Sequence, residues 1–152
     1  GVNPNIRGVS QGGQRQSAPL WIAYYNLDTS MMRLLLEWKA DVNATDSQGQ
    51  TLLMAAIRDG RTFLVWPLFT HKIDVNVQDK DQVTALMKAA GKTDTDLVKD
   101  IIEQGIKDID CTDQWGETAL CWAVRSGTTA IVQLLLEAGA DARFKNNRTH
   151  KT

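Results

Sequence analysis

Gly91-Lys92-Thr93 imitates the end of a phosphate-binding loop, in which a lysine reaches a phosphate and a hydroxyl holds its metal. That chemistry needs a leading glycine five positions earlier. The residue there is Leu86, and the segment follows a helical pattern where a strand is required. His71 and His150 could act as general bases, yet no serine or cysteine stands at a recognisable nucleophile spacing from either. Cys111 and Cys121 lack a second cysteine pair and a nearby histidine to complete a zinc site, so they read as free structural thiols suited to a reducing compartment. Asp46, Asp79 and Asp113 recur at equivalent turn positions, which marks a repeat constraint and not an acid/base pair. The sequence therefore offers no catalytic residue, no cofactor and no metal ligand set.

The elements that carry these residues are periodic. Asp46-Ser47-Gln48-Gly49-Gln50-Thr51-Leu52-Leu53 aligns with the stretch from Asp79 to Leu86 and with Asp113-Gln114-Trp115-Gly116-Glu117-Thr118-Ala119-Leu120. Thr51 and Thr84 are 33 residues apart, and Thr84 and Thr118 are 34 apart, a period that calls for stacked units. In each period a polar turn precedes a short helical pattern with small residues: Leu53 to Ala56, Leu86 to Ala90, Leu120 to Ala123. Second helices follow as apolar stripes at Phe63-Leu64-Val65, at Leu97-Val98 with Ile101-Ile102, and at Ile131-Val132 with Leu134-Leu135-Leu136. Closing segments appear at Lys39 to Ala44, Lys72 to Val77 and Gly139 to Ala142. Helices of about ten residues joined by such short turns form antiparallel pairs.

These residues resemble the ankyrin repeat, whose pattern runs D-x-x-G-x-T-P-L-H-x-A-A and then V-V-x-L-L-L-x-x-G-A-D-V-N-A. Ser17-Ala18-Pro19-Leu20-Trp21-Ile22-Ala23 opens one more unit. The resemblance then covers residues 18–142 as four helix pairs, with one inserted residue near Ile106 to Asp108. It implies an all-α ankyrin-repeat solenoid of antiparallel helix pairs joined by β-hairpin-like turns. The repeats are 18–50, 51–83, 84–117 and 118–151; residues 1–17 close a preceding repeat and form an extended Gly/Gln-rich finger, and residues 143–152 are a basic tail leading toward a further repeat. The family's histidine is replaced by Trp21, Met54, Met87 and Cys121, so its polar link near the helix start is expected to be absent. Pro67 falls on a family leucine inside the second helix of the second pair, where it removes a donor and predicts a kink or a shortened helix. Asn43-Ala44-Thr45 and Asn147-Arg148-Thr149 match the glycosylation acceptor pattern, but Asn43 stands where the family's asparagine braces a turn.

Composition fits a folded protein: 43% hydrophobic, 23% charged, formal net charge -1. A balance this close to neutral argues against a non-specific grip on nucleic acid. No run approaches the ~18 apolar residues of a membrane span, and no signal peptide is visible, which suggests a cytoplasmic or nuclear setting. Gly1-Val2-Asn3-Pro4-Asn5 resembles the close of an earlier repeat, and the chain reads as a window from a longer protein. The stretch from Arg7 to Gln16 has the composition of a flexible loop.

What a repeat leaves free is its turn tips and one stripe of each first helix. The tips carry Gln48, then Lys80 and Asp81, then Trp115. Residues three apart on a helix share a face, which groups Ile22 with Tyr25, Ala55 with Arg58, Lys88 with Gly91 and Lys92, and Trp122 with Arg125. Packing at ~8–10 Å per helix sets these stripes side by side over roughly 30 Å. Trp115 and Trp122 are the expected partner anchors, with Arg125 and Lys88 at the border and Arg58, Tyr25, Gln48, Lys80 and Asp81 completing the surface. Trp38 and Trp66 belong to outer second-helix positions, where packing is expected.

The resemblance implies a non-catalytic protein–protein interaction module that offers a concave surface to a peptide or protein and is monomeric as an isolated domain. Two alternatives are a scaffold or spacer segment regulating attached domains, and a small-ligand or nucleotide-binding array using Lys80, Lys88 and Lys92 as anion contacts. It also implies possible asparagine hydroxylation at Asn43 and Asn76, each with a leucine eight residues upstream, Leu35 and Leu68.

Overall fold

The computed structural model describes residues 18–146. These fold as eight α-helices and one 3-10 turn, with no strand among the described residues. Two compact units divide between Asp74 and Val75. The first holds α1 (Pro19–Tyr25), α2 (Thr29–Glu37), α3 (Leu52–Arg58), the 3-10 turn Thr62–Leu64 and α4 (Trp66–Phe69). The second holds α5 (Ala85–Ala90), α6 (Thr95–Glu103), α7 (Ala119–Ser126) and α8 (Thr129–Glu137). This is the all-α repeat fold that the resemblance implies, although its helices run six to nine residues in the regular pairs and are shorter than expected. The expectations for residues 1–17 and for Asn147, Arg148, Thr149 and His150 lie outside the described residues.

Each first helix after α1 starts at a threonine in extended conformation, buried, whose Oγ1 accepts the backbone N–H three residues on: Thr51 from Met54 at 3.4 Å, Thr84 from Met87 at 3.2 Å, Thr118 from Cys121 at 3.4 Å. Such a cap is worth about 1 kcal/mol because it satisfies an orphan donor of the first turn. The side-chain link thought to be lost with the family's histidine persists through sulfur in two of the pairs. Met87 Sδ accepts from the Thr84 N–H at 3.5 Å, and the Thr118 hydroxyl donates to Cys121 Sγ at 3.4 Å. Trp21 and Met54 fill the same position by burial.

Second helices begin at Asp28 and Asp94, whose carboxylates accept from Met31 and Leu97 N–H at 2.8 and 3.1 Å. The fourth pair has Thr128 at that position and the second has Arg61; neither side chain caps, and in the second pair the chain enters a 3-10 turn. Pro67 then brings no N–H for the Phe63 carbonyl. Around it the bonds tighten to i→i−3: Val65 to Thr62 at 3.1 Å and Leu68 to Val65 at 2.8 Å. The shortening expected from Pro67 is therefore present, with α4 reduced to four residues and proline in its first turn.

In the first unit the buried apolar side chains include Trp21, Tyr24, Met32, Leu53, Ile57, Leu64 and Leu68; in the second they include Met87, Val98, Ile101, Ala123, Ile131 and Leu135. Within the second unit α5 packs on α7 and α6 on α8. The closing asparagines tie successive segments: Asn43 Nδ2 donates to the Lys72 carbonyl at 3.1 Å while its Oδ1 accepts from Asp74 N–H at 2.8 Å. Asn76 does the same with Gly105 and Lys107, and Asp110 accepts from Asp141 N–H at 3.0 Å.

Candidate partner-binding surface

The turn tips are three copies of one hydrogen-bonded device. In each, an aspartate Oδ1 accepts two backbone N–H groups: Asp46 from Gln48 and Gln50, Asp79 from Asp81 and Val83, Asp113 from Trp115 and Glu117, all at 2.8–3.0 Å. The third tip residue after the aspartate takes positive φ: Gly49 at 75° and Gly116 at 78°, but Gln82 at 61°. A left-handed backbone costs a residue with a Cβ about 1 kcal/mol, so the second of these tips is strained where its sisters are not.

The other aspartate oxygen reaches down to the first helix. Asp79 Oδ2 lies 3.1 Å from Lys88 Nζ, and Asp113 Oδ2 accepts from Trp122 Nε1 at 3.0 Å. Lys88 and Trp122 occupy the same place, four residues after the cap threonine. Both were expected to be free for a partner, and the structure corrects this. The Lys88 ammonium is mostly buried and neutralised by an almost fully buried carboxylate. Trp122 is half-buried, its ring packed on Gly91 so closely that a Cβ there would stand 2.9 Å from Trp122 Cε3. A second brace joins the residue before the cap threonine to the one seven after it. Arg58 Nη1 donates to Gln50 Oε1 at 2.6 Å, and Arg125 Nη1 donates to Glu117 Oε2 at 2.7 Å with Nη2 on the other oxygen. The third pair has Val83 and Gly91 in those places and makes no such brace. That pairing was legible in the sequence: both members of the brace are polar together or apolar together.

Trp115 differs from all of these. Its N–H is held by Asp113 and its carbonyl accepts from Asn146 Nδ2 at 2.9 Å, while 55% of the residue is exposed. A fixed backbone thus presents a free indole. The Arg125 guanidinium in the same unit remains mostly exposed beyond its pairing with Glu117. Lys80, Asp81 and Lys92 are exposed, with Asp81 Oδ1 accepting from Gln114 Nε2 at 2.8 Å.

In the first unit Gln48 and Arg58 are exposed, and Tyr25 is half-buried with its ring centroid 5.3 Å from that of Tyr24. Tyr24 donates to Asp59 Oδ2 at 2.8 Å, and the Arg61 guanidinium carbon lies 5.3 Å from the centre of its ring. Burial, and then that bond to Asp59, pushes the Tyr24 hydroxyl pKa well up. The hydrogen bond from Arg58 holds the Asp59 carboxyl below its usual range. The outer positions are a further correction: Trp38, Trp66 and also Phe63 are exposed at 65, 61 and 63%, not packed. Trp66 and Phe63 lie on the short turns that replace the regular second helix.

Among the described residues no group of three or more His, Cys, Asp or Glu could hold a metal. Both cysteines are unpaired, and burial, with Asp108 and Asp110 nearby, pushes the Cys111 thiol pKa up and away from reactivity.

The family model of ankyrin repeats (three copies) matches residues 2–79 and again 60–146. This chain belongs to the ankyrin repeat family. Its relatives include a palmitoyltransferase, AKR1, of the yeast Lachancea kluyveri, 34% identical over 136 residues, or 86% of this chain and 18% of the relative. The human neurogenic locus notch homolog protein 1 is 30% identical over 115 residues, 75% of this chain and 4% of that protein. A putative ankyrin repeat protein, L371, of Acanthamoeba polyphaga mimivirus is 27% identical over 138 residues, 87% of this chain and 17% of that protein. The ankyrin segment thus spans less than a fifth of the length of these relatives. No helix among the described residues is long and apolar enough to cross a membrane.

Proposed function

We propose that this ankyrin segment is a non-catalytic protein-binding module, monomeric in isolation, that works in the reducing interior of a cell and grips a peptide or protein partner with Trp115 at the centre and Arg125 beside it. One observation supports this above the others. Trp115 is exposed although its backbone is tied on both sides, so its indole enters an interface with little ordering cost. Lys80 and Asp81 supply polar contacts in the same unit, and Lys88 and Trp122, each held by its own tip aspartate, act as struts; Gln48, Arg58 and Tyr25 offer polar contacts of the first unit by itself. The nucleotide-binding alternative loses its central cation, because Lys88 is spent on Asp79.

The test is a pull-down of partners from extract of the source cells with the wild-type segment, Trp115→Ala and Trp38→Ala. Trp115→Ala is expected to weaken the specific partner by ~30-fold or more, corresponding to about 2 kcal/mol, while Trp38→Ala leaves it bound. Undiminished binding by folded Trp115→Ala overturns the assignment.

On the same footing we propose Asn43 and Asn76 as the asparagines, among the described residues, in the closing-turn position open to an asparaginyl hydroxylase, since the equivalents in the third and fourth repeats are Asp110 and Arg143. Mass spectrometry of the protein coexpressed with such an enzyme should show one added oxygen on either peptide. Unmodified peptides leave both asparagines with their turn bonds as their whole role.

A further inference from the structure

We infer that the first unit holds a carboxylate-binding site at Arg61 and Trp21, two side chains whose enclosed N–H groups have no acceptor among the described residues. The inference concerns the first unit alone and stands apart from the reading of Trp115. Arg61 Nη1 and Trp21 Nε1 are both buried, and neither finds a hydrogen-bond partner. Both residues lie against one side chain. The Arg61 guanidinium carbon is 5.3 Å from the centre of the Tyr24 ring, and the Trp21 ring centroid is 6.0 Å from it. Trp21 and Tyr24 are fully buried and Arg61 is half-buried. An enclosed donor left without an acceptor is costly, and more so when it belongs to a charged group.

The neighbouring charges do not supply the missing acceptor. Asp59 is the carboxylate of this cluster, and both of its oxygens are taken: Oδ1 accepts from Arg58 Nε at 2.8 Å, and Oδ2 accepts from the Tyr24 hydroxyl at 2.8 Å and from Arg58 Nη2 at 3.3 Å. The hydrogen bond from Arg58 is the main effect holding the Asp59 carboxyl below its usual range, and the charge of Arg61 adds to it, so two guanidinium groups draw on one carboxylate. Tyr24 offers Arg61 the face of its ring. At the place of Arg61 the first and third pairs carry Asp28 and Asp94, so the second pair has exchanged an acid for a base and holds one positive charge in excess. A water molecule would satisfy the N–H groups and leave that charge. A carboxylate answers both, with an oxygen for each donor and a single negative charge for the cluster. A free small acid and an aspartate or glutamate of a partner peptide carry the same group, and the experiment separates them.

The full chain, isotope-labelled for NMR, is titrated with sodium acetate, with the blocked tripeptide acetyl-Gly-Asp-Gly-amide and with its asparagine counterpart, sodium chloride keeping the ionic strength constant. The indole N–H of Trp21, identified by its loss in Trp21→Phe, is expected to shift saturably with either carboxylate and to stay in place with the asparagine peptide. The melting temperature should rise along the same curve, since the ligand binds the folded chain alone. Arg61→Gln should weaken the response ~10-fold or more. Saturation by acetate and peptide at similar concentrations supports the site with a small acid as its occupant; saturation by the peptide at ~10-fold lower concentration supports it with a partner's side chain there. The inference is overturned if neither carboxylate moves the Trp21 signal, or if folded Arg61→Gln responds like the wild type. It is equally overturned if that N–H shows a lasting cross-peak to bound water which neither carboxylate removes.

Discussion

The second and fourth helix pairs share a pattern and differ in how tightly it is held. In the fourth, Asp113 is buried and binds two tip N–H groups and the Trp122 indole, Glu117 grips Arg125, and α8 runs nine residues. In the second, Asp46 is half-buried, Ala55 stands where Trp122 would reach up to it, and the outer helix collapses to a 3-10 turn and four α-helical residues. Pro67 in place of a donor explains the outer difference, since α8 too begins without a side-chain cap, at Thr128, and still runs its full length. The difference teaches that a repeat can tolerate irregularity in its outer helix when the inner one is well capped, since Thr51, Leu53 and Ile57 stay buried throughout.

The largest test of this contrast is to remove the tip carboxylates one at a time. Asp113→Ala should cost about 3 kcal/mol in urea unfolding, because three donors lose a charged acceptor, one of them the Trp122 indole. Asp46→Ala, with two donors near solvent, should cost about 1 kcal/mol. Equal costs would show that the helix-facing oxygen contributes nothing. Next in size, Pro67→Leu should narrow the gap by raising stability on the order of 1 kcal/mol and restoring amide protection at Phe63 to Phe69 in hydrogen exchange. A loss instead would mean that the side chains around Pro67 are fitted to the broken helix. The smallest effect belongs to the tip between them: Gln82→Gly should stabilise by roughly 0.5 kcal/mol, as the strain of the left-handed residue outweighs the added freedom of the unfolded chain. No change in melting temperature would place that strain below measurement.

The fold was legible because the repeat supplies its own alignment: threonine caps, tip aspartates and apolar stripes recur at one spacing, and all reappear in the structure. Pro67 was legible for the same reason, since a missing N–H acts wherever a helix needs it. The surface was read less well. Lys88 and Trp122 vary between copies, and variation alone does not separate a residue free for a partner from one that braces its own copy differently from its neighbours. What decides is the aspartate five residues before the cap, whose second oxygen needs a donor that a lysine or an indole can reach and an alanine cannot. Trp38, Phe63 and Trp66 were misread for a simpler reason: an aromatic residue in a helical stripe suggests packing, but the second pair has no regular helix to turn two of them inward.

Trp122→Phe tests most directly the claim that the residues beneath Trp115 are struts. The substitution keeps a six-membered aromatic ring and removes the pyrrole part that carries the Nε1 donor, leaving one oxygen of a buried carboxylate without its partner. Equilibrium urea unfolding of this variant should show a loss of about 1–2 kcal/mol with partner affinity unchanged once both proteins are folded. Full stability together with weakened partner binding would contradict the account and return Trp122 to the binding surface.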